Sequence, residues 1–231
     1  MKILAIIPAR GGSKGVPRKN IKLLGKMPLI EYTINAAKAA AGLTEIVVST
    51  EDAEIAIAAE VCGSKPPFIR PVELSRDDSA SIAVVQHAIT YYESQAVFFD
   101  AVCLLQPTTP FRTEGFIDEA IQKFVVSGAD SLVSVLPIPH EYNPHWAFEE
   151  SENGLLKIAT GESNIISRRQ ELPKAFHRDG SIYLTKTQVA KSGSFFGQSI
   201  AYIENNPELY VNIDTMADWE KAESLLYKFK S

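Results

Sequence analysis

The stretch Ile6-Ile7-Pro8-Ala9-Arg10-Gly11-Gly12-Ser13-Lys14-Gly15-Val16-Pro17-Arg18-Lys19-Asn20 decides how the rest of the chain is read. An apolar run from Ile3 to Ile7 stops at a proline and opens into residues holding three glycines and four cations, with no acidic side chain among them. That pattern is a buried strand feeding an anion-binding loop. Glycine lets backbone N–H groups approach an anion without interference from a Cβ, and Arg10, Lys14, Arg18 and Lys19 add the charge that a polyphosphate needs. The glycines at 11, 12 and 15 fit neither the Walker A spacing nor the dinucleotide fingerprint, so this is a different phosphate loop. It proposes a nucleotide or sugar-phosphate ligand; the plainer alternative is a solvated basic turn.

Working outward, Pro28 to Ala37 carries apolar residues at helical spacing with proline at its start, and Gly42 ends it. Glu45 to Thr50 reads as a buried strand, and Glu51-Asp52 leads into a helix over Ala53 to Val61. Strand, loop, helix, strand, helix with short joins predicts a parallel α/β sheet, in which ligands collect at strand C-termini. Lys65 to Asp78 is extended and proline-marked, followed by a helix to about Tyr92. Ala101 to Leu105 is a third buried strand, leading into Gln106-Pro107-Thr108-Thr109-Pro110-Phe111-Arg112, a second polar loop on the ligand side or a proline-rich turn capped by Thr113.

A helix from Gly115 to Val126 and a strand from Ser131 to Val135 come next. The segment from Pro137 to about Arg169 differs in composition, with His140, Tyr142, Asn143, His145, Trp146 and Phe148 ahead of an acidic turn, and reads as an inserted hairpin and loop. Its aromatic density suggests a partner surface or a pocket wall. Phe176 to Thr185 and Ser199 to Ile203 read as strands. Tyr210 to Thr215 reads as a last strand ending in a carboxylate, ahead of a helix from Met216 to about Tyr227.

A chain of 231 residues with 45% hydrophobic content supports a substantial core in one domain. The net charge of −5 argues against nucleic-acid or anionic-membrane binding and makes the basic loop a local device for a small anion. Cys62 and Cys103 have neither CxxC spacing nor nearby histidines, so buried thiols in a reducing cytosol are expected. No secretory leader and no long apolar run stands out, which predicts a soluble cytoplasmic protein.

A triphosphate on this loop would bring Mg²⁺, which takes hard oxygen ligands, commonly one or two carboxylates together with phosphates and water. Asp214, at a predicted strand end, is the best candidate, although a lone acid there can also cap a helix. No Ser-His-Asp or Cys-His arrangement is visible. Phosphoryl-type transfer by positioning and charge neutralisation is then the economical mechanism.

Taken together, Ile7 to Gly15 with Lys19-Asn20, Arg70-Pro71 with Asp77, Leu105 to Arg112, Asp179-Gly180-Ser181-Ile182-Tyr183 and Ile213-Asp214-Thr215 resemble the acylneuraminate cytidylyltransferases, the CMP-sialic acid synthetases, in order along nearly the whole chain. The resemblance implies a Rossmann-like nucleotide-diphospho-sugar transferase fold, a mostly parallel sheet flanked by helices. It implies attack by the anomeric hydroxyl of a nonulosonic acid on the α-phosphorus of CTP, giving a CMP-sugar and pyrophosphate with Mg²⁺ required. By motif position, Arg10, Ser13, Lys14 and Lys19 would hold the CTP phosphates, with Lys19 closest to the reacting centre and, with Arg10 and Asp214, catalytic. Asn20, Arg70, Ser79 and Ser81 would face the cytidine. Gln106 would contact the sugar, Tyr183 would help wall its pocket, and Asp214 would bind Mg²⁺. The resemblance also implies a homodimer, with an inserted dimerisation and substrate segment at about residues 138–170 reaching the partner's site.

Two departures from the family pattern carry expectations. Asn212-Ile213-Asp214 stands where Asp-Ile-Asp is often found, so Asn212 would be only a neutral metal ligand. Asp179-Gly180, with His177 and Arg178 before it, replaces Asn-Gly, which predicts a changed preference for sugar substituents and leaves legionaminic, pseudaminic and N-acetylneuraminic acids all open. The sugar carboxylate needs a cation, for which Arg168, Arg169 and Arg178 are available. The competing readings are a 3-deoxy-manno-octulosonate cytidylyltransferase or sugar-1-phosphate enzyme, and a non-catalytic nucleotide-binding protein.

Overall fold

The computed structural model describes residues 1–230. In chain order the elements are β1 (Ile3–Pro8), two short strands β2 (Leu23–Leu24) and β3 (Met27–Pro28), α1 (Leu29–Ala39), β4 (Glu45–Ser49), α2 (Ala53–Val61), α3 (Ser81–Ser94), β5 (Ala101–Leu104), α4 (Phe116–Ser127), β6 (Ser131–Pro137), a hairpin of β7 (Phe148–Glu150) and β8 (Leu156–Ile158), β9 (Phe176–Lys186), α5 (Thr187–Lys191), β10 (Ile200–Glu204) and α6 (Met216–Lys230). Six strands form one sheet in the order β10-β6-β9-β5-β1-β4. β4, β1 and β5 run parallel, as do β6 and β10, and β9 runs antiparallel to both of its neighbours.

Helices cover both faces of this sheet, so the parallel strands β1 and β5 are apolar along their whole length. In β1, Ile3, Ala5 and Ile7 point into one core with α1 and α4, while Leu4 and Ile6 point into a second with α3, the alternation of a pleated strand. A third cluster surrounds Trp219 of α6, gathering Val16 of the basic loop, Phe111 of the second loop, Val211 and Ile213. This third core fastens three loops to one another at the C-terminal edge of the sheet. Among the described residues no helix is long and apolar enough to cross a membrane.

Residues 210–215 depart from the strand expected there, since they pair with no strand of the sheet. They are still extended, with Val211 and Ile213 buried and Asn212 and Asp214 turned outward, and a hydrogen bond of 2.8 Å from Ile213 N to Thr108 O ties them to the loop after β5. Alternating burial came from packing against α6, and it looks the same in sequence as a sheet strand. The helix after that loop is entered through Gly115 in the left-handed region, with no side-chain cap from Thr113.

The basic loop is pressed against its surroundings at two glycines. A Cβ on Gly11 would lie 2.3 Å from Asp52 Oδ2, and one on Gly15 would lie 1.9 Å from the carbonyl oxygen of Asp214. The second contact is backbone and cannot be relieved by a rotamer change. Gly15→Ala is therefore expected to cost about 1–3 kcal/mol as an overpacked substitution, whereas Gly12, with nothing within 4 Å of its Cβ position, should tolerate alanine to within about 0.5 kcal/mol. Urea unfolding of both variants checks this, and equal midpoints would refute it.

Candidate active site

The basic loop, the segment 70–81, the loop after β5 and the outward side of 212–214 enclose a cleft of about 320 Å³ at the C-terminal edge of the parallel strands. That is the size of a small-molecule site. From the basic loop, Arg10, Ser13, Lys19 and Asn20 line it. Arg70, Ser79 and Ser81 line it from one side, and Gln106, Asn212 and Asp214 from the other. Lys14 lies just outside, facing an adjoining hollow behind the same loop with Arg10 and Ser13. Residues distant in sequence thus converge on one cleft.

Lys19 is the most enclosed cation of the basic loop. Its amine donates to the Ile213 carbonyl at 2.6 Å and to Asp214 Oδ1 at 3.2 Å, with its side chain 11% exposed. Asn212 Nδ2 donates to the other Asp214 oxygen at 2.7 Å. Asp214 does not cap α6. The backbone N–H groups of Asp214 and Thr215 and the Thr215 hydroxyl all donate to Asp218 Oδ2, and the Asp218 N–H returns a bond to Thr215 Oγ1, a capping box that leaves the Asp214 carboxylate facing the cleft.

Asp77 joins this site, a residue that sequence reasoning quoted in a motif and gave no role. Its carboxylate pairs with Arg10 Nη1 at 2.8 Å and Lys14 Nζ at 2.5 Å. The Lys14 hydrogen bond, then the field of Lys14 and the Arg10 contact, hold the Asp77 carboxyl below the usual carboxylate range. Two of the loop's four cations are therefore paired with one exposed acid, which offsets half of their charge. Arg18 is turned away altogether: it forms a fork with Asp52 at 2.6 and 3.2 Å and reaches Glu54. Nothing in the loop's own sequence separates Arg18 from its neighbours.

The next carboxylate toward the interior, Glu51, accepts from Gly11 N at 2.8 Å and from Arg70 Nη2 at 2.7 Å. Burial pushes its carboxyl up, but the Gly11 N–H and the Arg70 guanidinium outweigh that and leave it below its ordinary value.

Around the loop after β5, where the sugar was expected, the structure corrects several expectations. Arg112 is a buried pin, 3% exposed, donating to the carbonyls of Gln106, Thr109 and Ser181 and to the Thr33 hydroxyl; burial brings its pKa down to about 10. Asp179 is likewise interior, 1% exposed, and its carboxylate is used up by Ser134 Oγ, Ser181 N and Asn205 Nδ2. It does not line the cleft. These bonds stabilise an irregularity in β9, where register shifts between Val133 and Val135 of β6. The displaced residues bring Gly180, at φ +82°, against Gln106, so that a Cβ there would lie 3.2 Å from Gln106 Oε1.

Tyr183 is 8% exposed, packed against Phe195 and Phe196, and does not line the cleft. Burial pushes its hydroxyl up, opposed by the nearby Arg178 guanidinium. Arg178 is exposed at the start of β9. Arg168 is 70% exposed beside Glu171 in the segment after the β7–β8 hairpin, outside the cleft. Cys103 is a core thiol that burial pushes up to about 12, inert at neutral pH.

A family model for cytidylyltransferases matches residues 4–193. The chain belongs to the cytidylyltransferase family. It is 39% identical to a pseudaminic acid cytidylyltransferase of Campylobacter jejuni over 99% of this chain and 97% of that one. It is 37% identical to a CMP-N,N'-diacetyllegionaminic acid synthase of Legionella pneumophila, over 98% and 97% respectively. It is 34% identical to N-acylneuraminate cytidylyltransferase A of Danio rerio, over 98% of this chain and 51% of that one. Among solved structures, a CMP:2-keto-3-deoxy-manno-octonic acid synthetase complexed with CTP superposes with a TM-score of 0.72, covering 99% of both chains at 19% identity, a likeness of fold. The α/β fold expected from sequence, a mainly parallel sheet flanked by helices, is the one found.

Asp77 occupies Arg10 and Lys14, two cations that a phosphate in this cleft would need. Asp77→Asn is expected to tighten binding of inorganic pyrophosphate about threefold at low ionic strength, the scale of exposed ion pairs, with the gain fading as salt is added. Isothermal titration at two salt concentrations measures it; unchanged affinity at low salt would show that the acid is no competitor.

Proposed function

We propose that the protein transfers CMP from CTP to the anomeric hydroxyl of a nonulosonic acid and releases pyrophosphate. The observation that carries this reading is the convergence of Arg10, Lys19, Gln106 and Asp214 on one cleft, in a chain matching nonulosonate cytidylyltransferases over nearly its full length. Arg10, Ser13 and Lys14 hold the triphosphate, whose oxygens displace Asp77. Asn20, Arg70, Ser79 and Ser81 face the cytidine, although the Ser79 hydroxyl also serves its own loop by donating to the Glu73 carbonyl. Gln106 takes the sugar.

In the reaction the anomeric oxygen forms a bond to the α-phosphorus, the bond from that phosphorus to the bridging oxygen of pyrophosphate breaks, and pyrophosphate leaves with the electron pair. Lys19 lies where charge builds on the phosphorus oxygens. Asp214 is the carboxylate beside it that can take the hydroxyl proton. Electrostatic stabilisation of this kind is worth most in an enclosed site.

The donor set also fits Mg²⁺. Asp214 presents a carboxylate 62% exposed toward the cleft, Asn212 adds a neutral amide, and phosphate oxygens and water complete such sites. Among the described residues no cluster of three or more His, Cys, Asp or Glu side chains could hold a metal by itself, so this site depends on the nucleotide. When bound, the ion would neutralise phosphate charge.

The reading extends to a cytoplasmic homodimer formed through residues 138–170. Both strands of the β7–β8 hairpin are largely exposed, with Phe148 at 51% and Leu156 at 68%. An isolated two-stranded hairpin is marginal in water, and a second copy would cover it. Arg168 lies in the same segment and becomes useful to a sugar carboxylate only across such an interface.

Pyrophosphate release from CTP should appear with pseudaminic or legionaminic acid in a panel that also holds N-acetylneuraminic and 3-deoxy-manno-octulosonic acids. Turnover with the last alone, or with none, would overturn the assignment. Lys19→Ala should lower kcat roughly 100- to 1,000-fold, the cost of removing one transition-state donor, with unchanged circular dichroism; activity within a few-fold of normal would refute its role. Light scattering should give about twice the chain mass of 25.4 kDa, with Leu156→Asp shifting the protein toward monomer. A monomeric parent protein would sink the interface.

A further inference from the structure

We infer that Glu51 is a positioning residue that holds the phosphate and base halves of the nucleotide site in register. It does not line the cleft. Each oxygen of its carboxylate instead serves a different wall. Oε1 accepts from the N–H of Gly11, in the basic loop, at 2.8 Å. Oε2 accepts from Arg70 Nη2 at 2.7 Å, and Arg70 does line the cleft. One side chain at the end of β4 therefore joins the phosphate loop to the segment 70–81.

The surrounding contacts leave neither partner another anchor of the same kind. The Arg70 guanidinium has one further bond, Nε to Ser75 Oγ at 2.9 Å, which runs within its own segment, while its backbone N–H is fixed to the Thr50 carbonyl beside Glu51. Gly11 lies close enough to Asp52 that its missing side chain is required, and Asp52 is itself engaged with Arg18. The Glu51–Arg70 pair is nearly out of solvent, at 15% and 3% side-chain exposure. A buried ion pair is poor evidence of stabilisation, because desolvation of both charges offsets most of their attraction. Its geometry, with each oxygen committed to one wall, is what a device for relative placement requires.

The inference rests on the reading of the cleft as a CTP site, and the test keeps the two apart. Glutamine at 51 has one acceptor oxygen and can serve only one of the two donors, so the register is lost with almost no change in volume. In Glu51→Gln the Kd for CTP, measured by titration calorimetry without acceptor sugar, should rise about tenfold, the scale of one lost charge-assisted hydrogen bond. The binding stoichiometry should stay near that of the parent. In turnover the KM for CTP should rise in step, while the KM for the acidic sugar and kcat at saturating CTP stay within about threefold. Glu51→Ala, lacking both acceptors, should weaken CTP further.

A merely structural role would lower the thermal midpoint and the binding stoichiometry while leaving the Kd of the folded fraction unchanged. That pattern, or a parent-like Kd in both variants, would overturn the inference. Calorimetry needs neither acceptor nor catalysis, so a failure of the proposed transfer reaction would show in the sugar panel and leave this measurement to be decided separately.

Discussion

The site depends on how closely the basic loop is packed between a side chain and a backbone segment that belong to different parts of the chain. Gly11 rests on Asp52 just beyond β4, and Gly15 rests on the carbonyl of Asp214 ahead of α6. A Cβ at Gly15 could be admitted only by displacing backbone, and one at Gly11 only by displacing the Asp52 carboxylate that Arg18 grips. The loop therefore acts as a spacer whose thickness sets the distance between the nucleotide wall and the Asp214 wall. Its glycines matter as much for this spacing as for access to an anion.

On the opposite side the same task falls to buried charge. Arg112 gathers three carbonyls from the loop after β5 and from β9, and Asp179 gathers donors from β6, β9 and the chain beyond β10. Both groups are almost fully buried, and each has its hydrogen-bonding capacity largely filled, the condition under which polar groups are tolerated in a core. The reversal of β9 makes this possible. Because it runs against its neighbours, its first residues, Arg178 to Gly180, come to the edge where the parallel strands end.

Much of this was legible in the sequence. Apolar runs and short joins reveal the sheet, and the two loops after β1 and β5 fall where ligands gather because strand order in such folds leaves little choice. The polar loops that hold Arg10, Lys19 and Gln106, and Asp214 beyond them, were marked by residue type and position, while the separate roles of Lys19 and Gln106 came only with the family resemblance. The failures share a cause, which is that a charged residue in a polar motif gives no local sign of which way it points. Arg18 and Lys19 are adjacent cations, yet one grips Asp52 and the other enters the cleft. Arg112 stands in a polar loop and Asp179 in a polar stretch of β9, yet both are interior, because some of their partners lie 69 and 45 residues away in sequence. The Val211 to Asp214 alternation was real, but its partner was a helix and a loop.

The placement of Asp179 changes what acceptor choice can depend on. An acid in place of an amide beside the sugar would act directly, by charge, on whichever substituent it met. With its carboxylate bound to Ser134, Ser181 and Asn205, Asp179 acts by shape. It fixes the irregularity of β9, which sets the left-handed Gly180 against Gln106. An amide at 179 would offer one acceptor oxygen where the acid offers two, and one of the three donors would lose its partner. The consequence for the sugar would then arrive through a shift of Gly180 and Gln106 rather than through a contact. Any influence of Asp179 on the cleft is accordingly indirect, passing through backbone geometry beneath it, because its own carboxylate does not line that cleft.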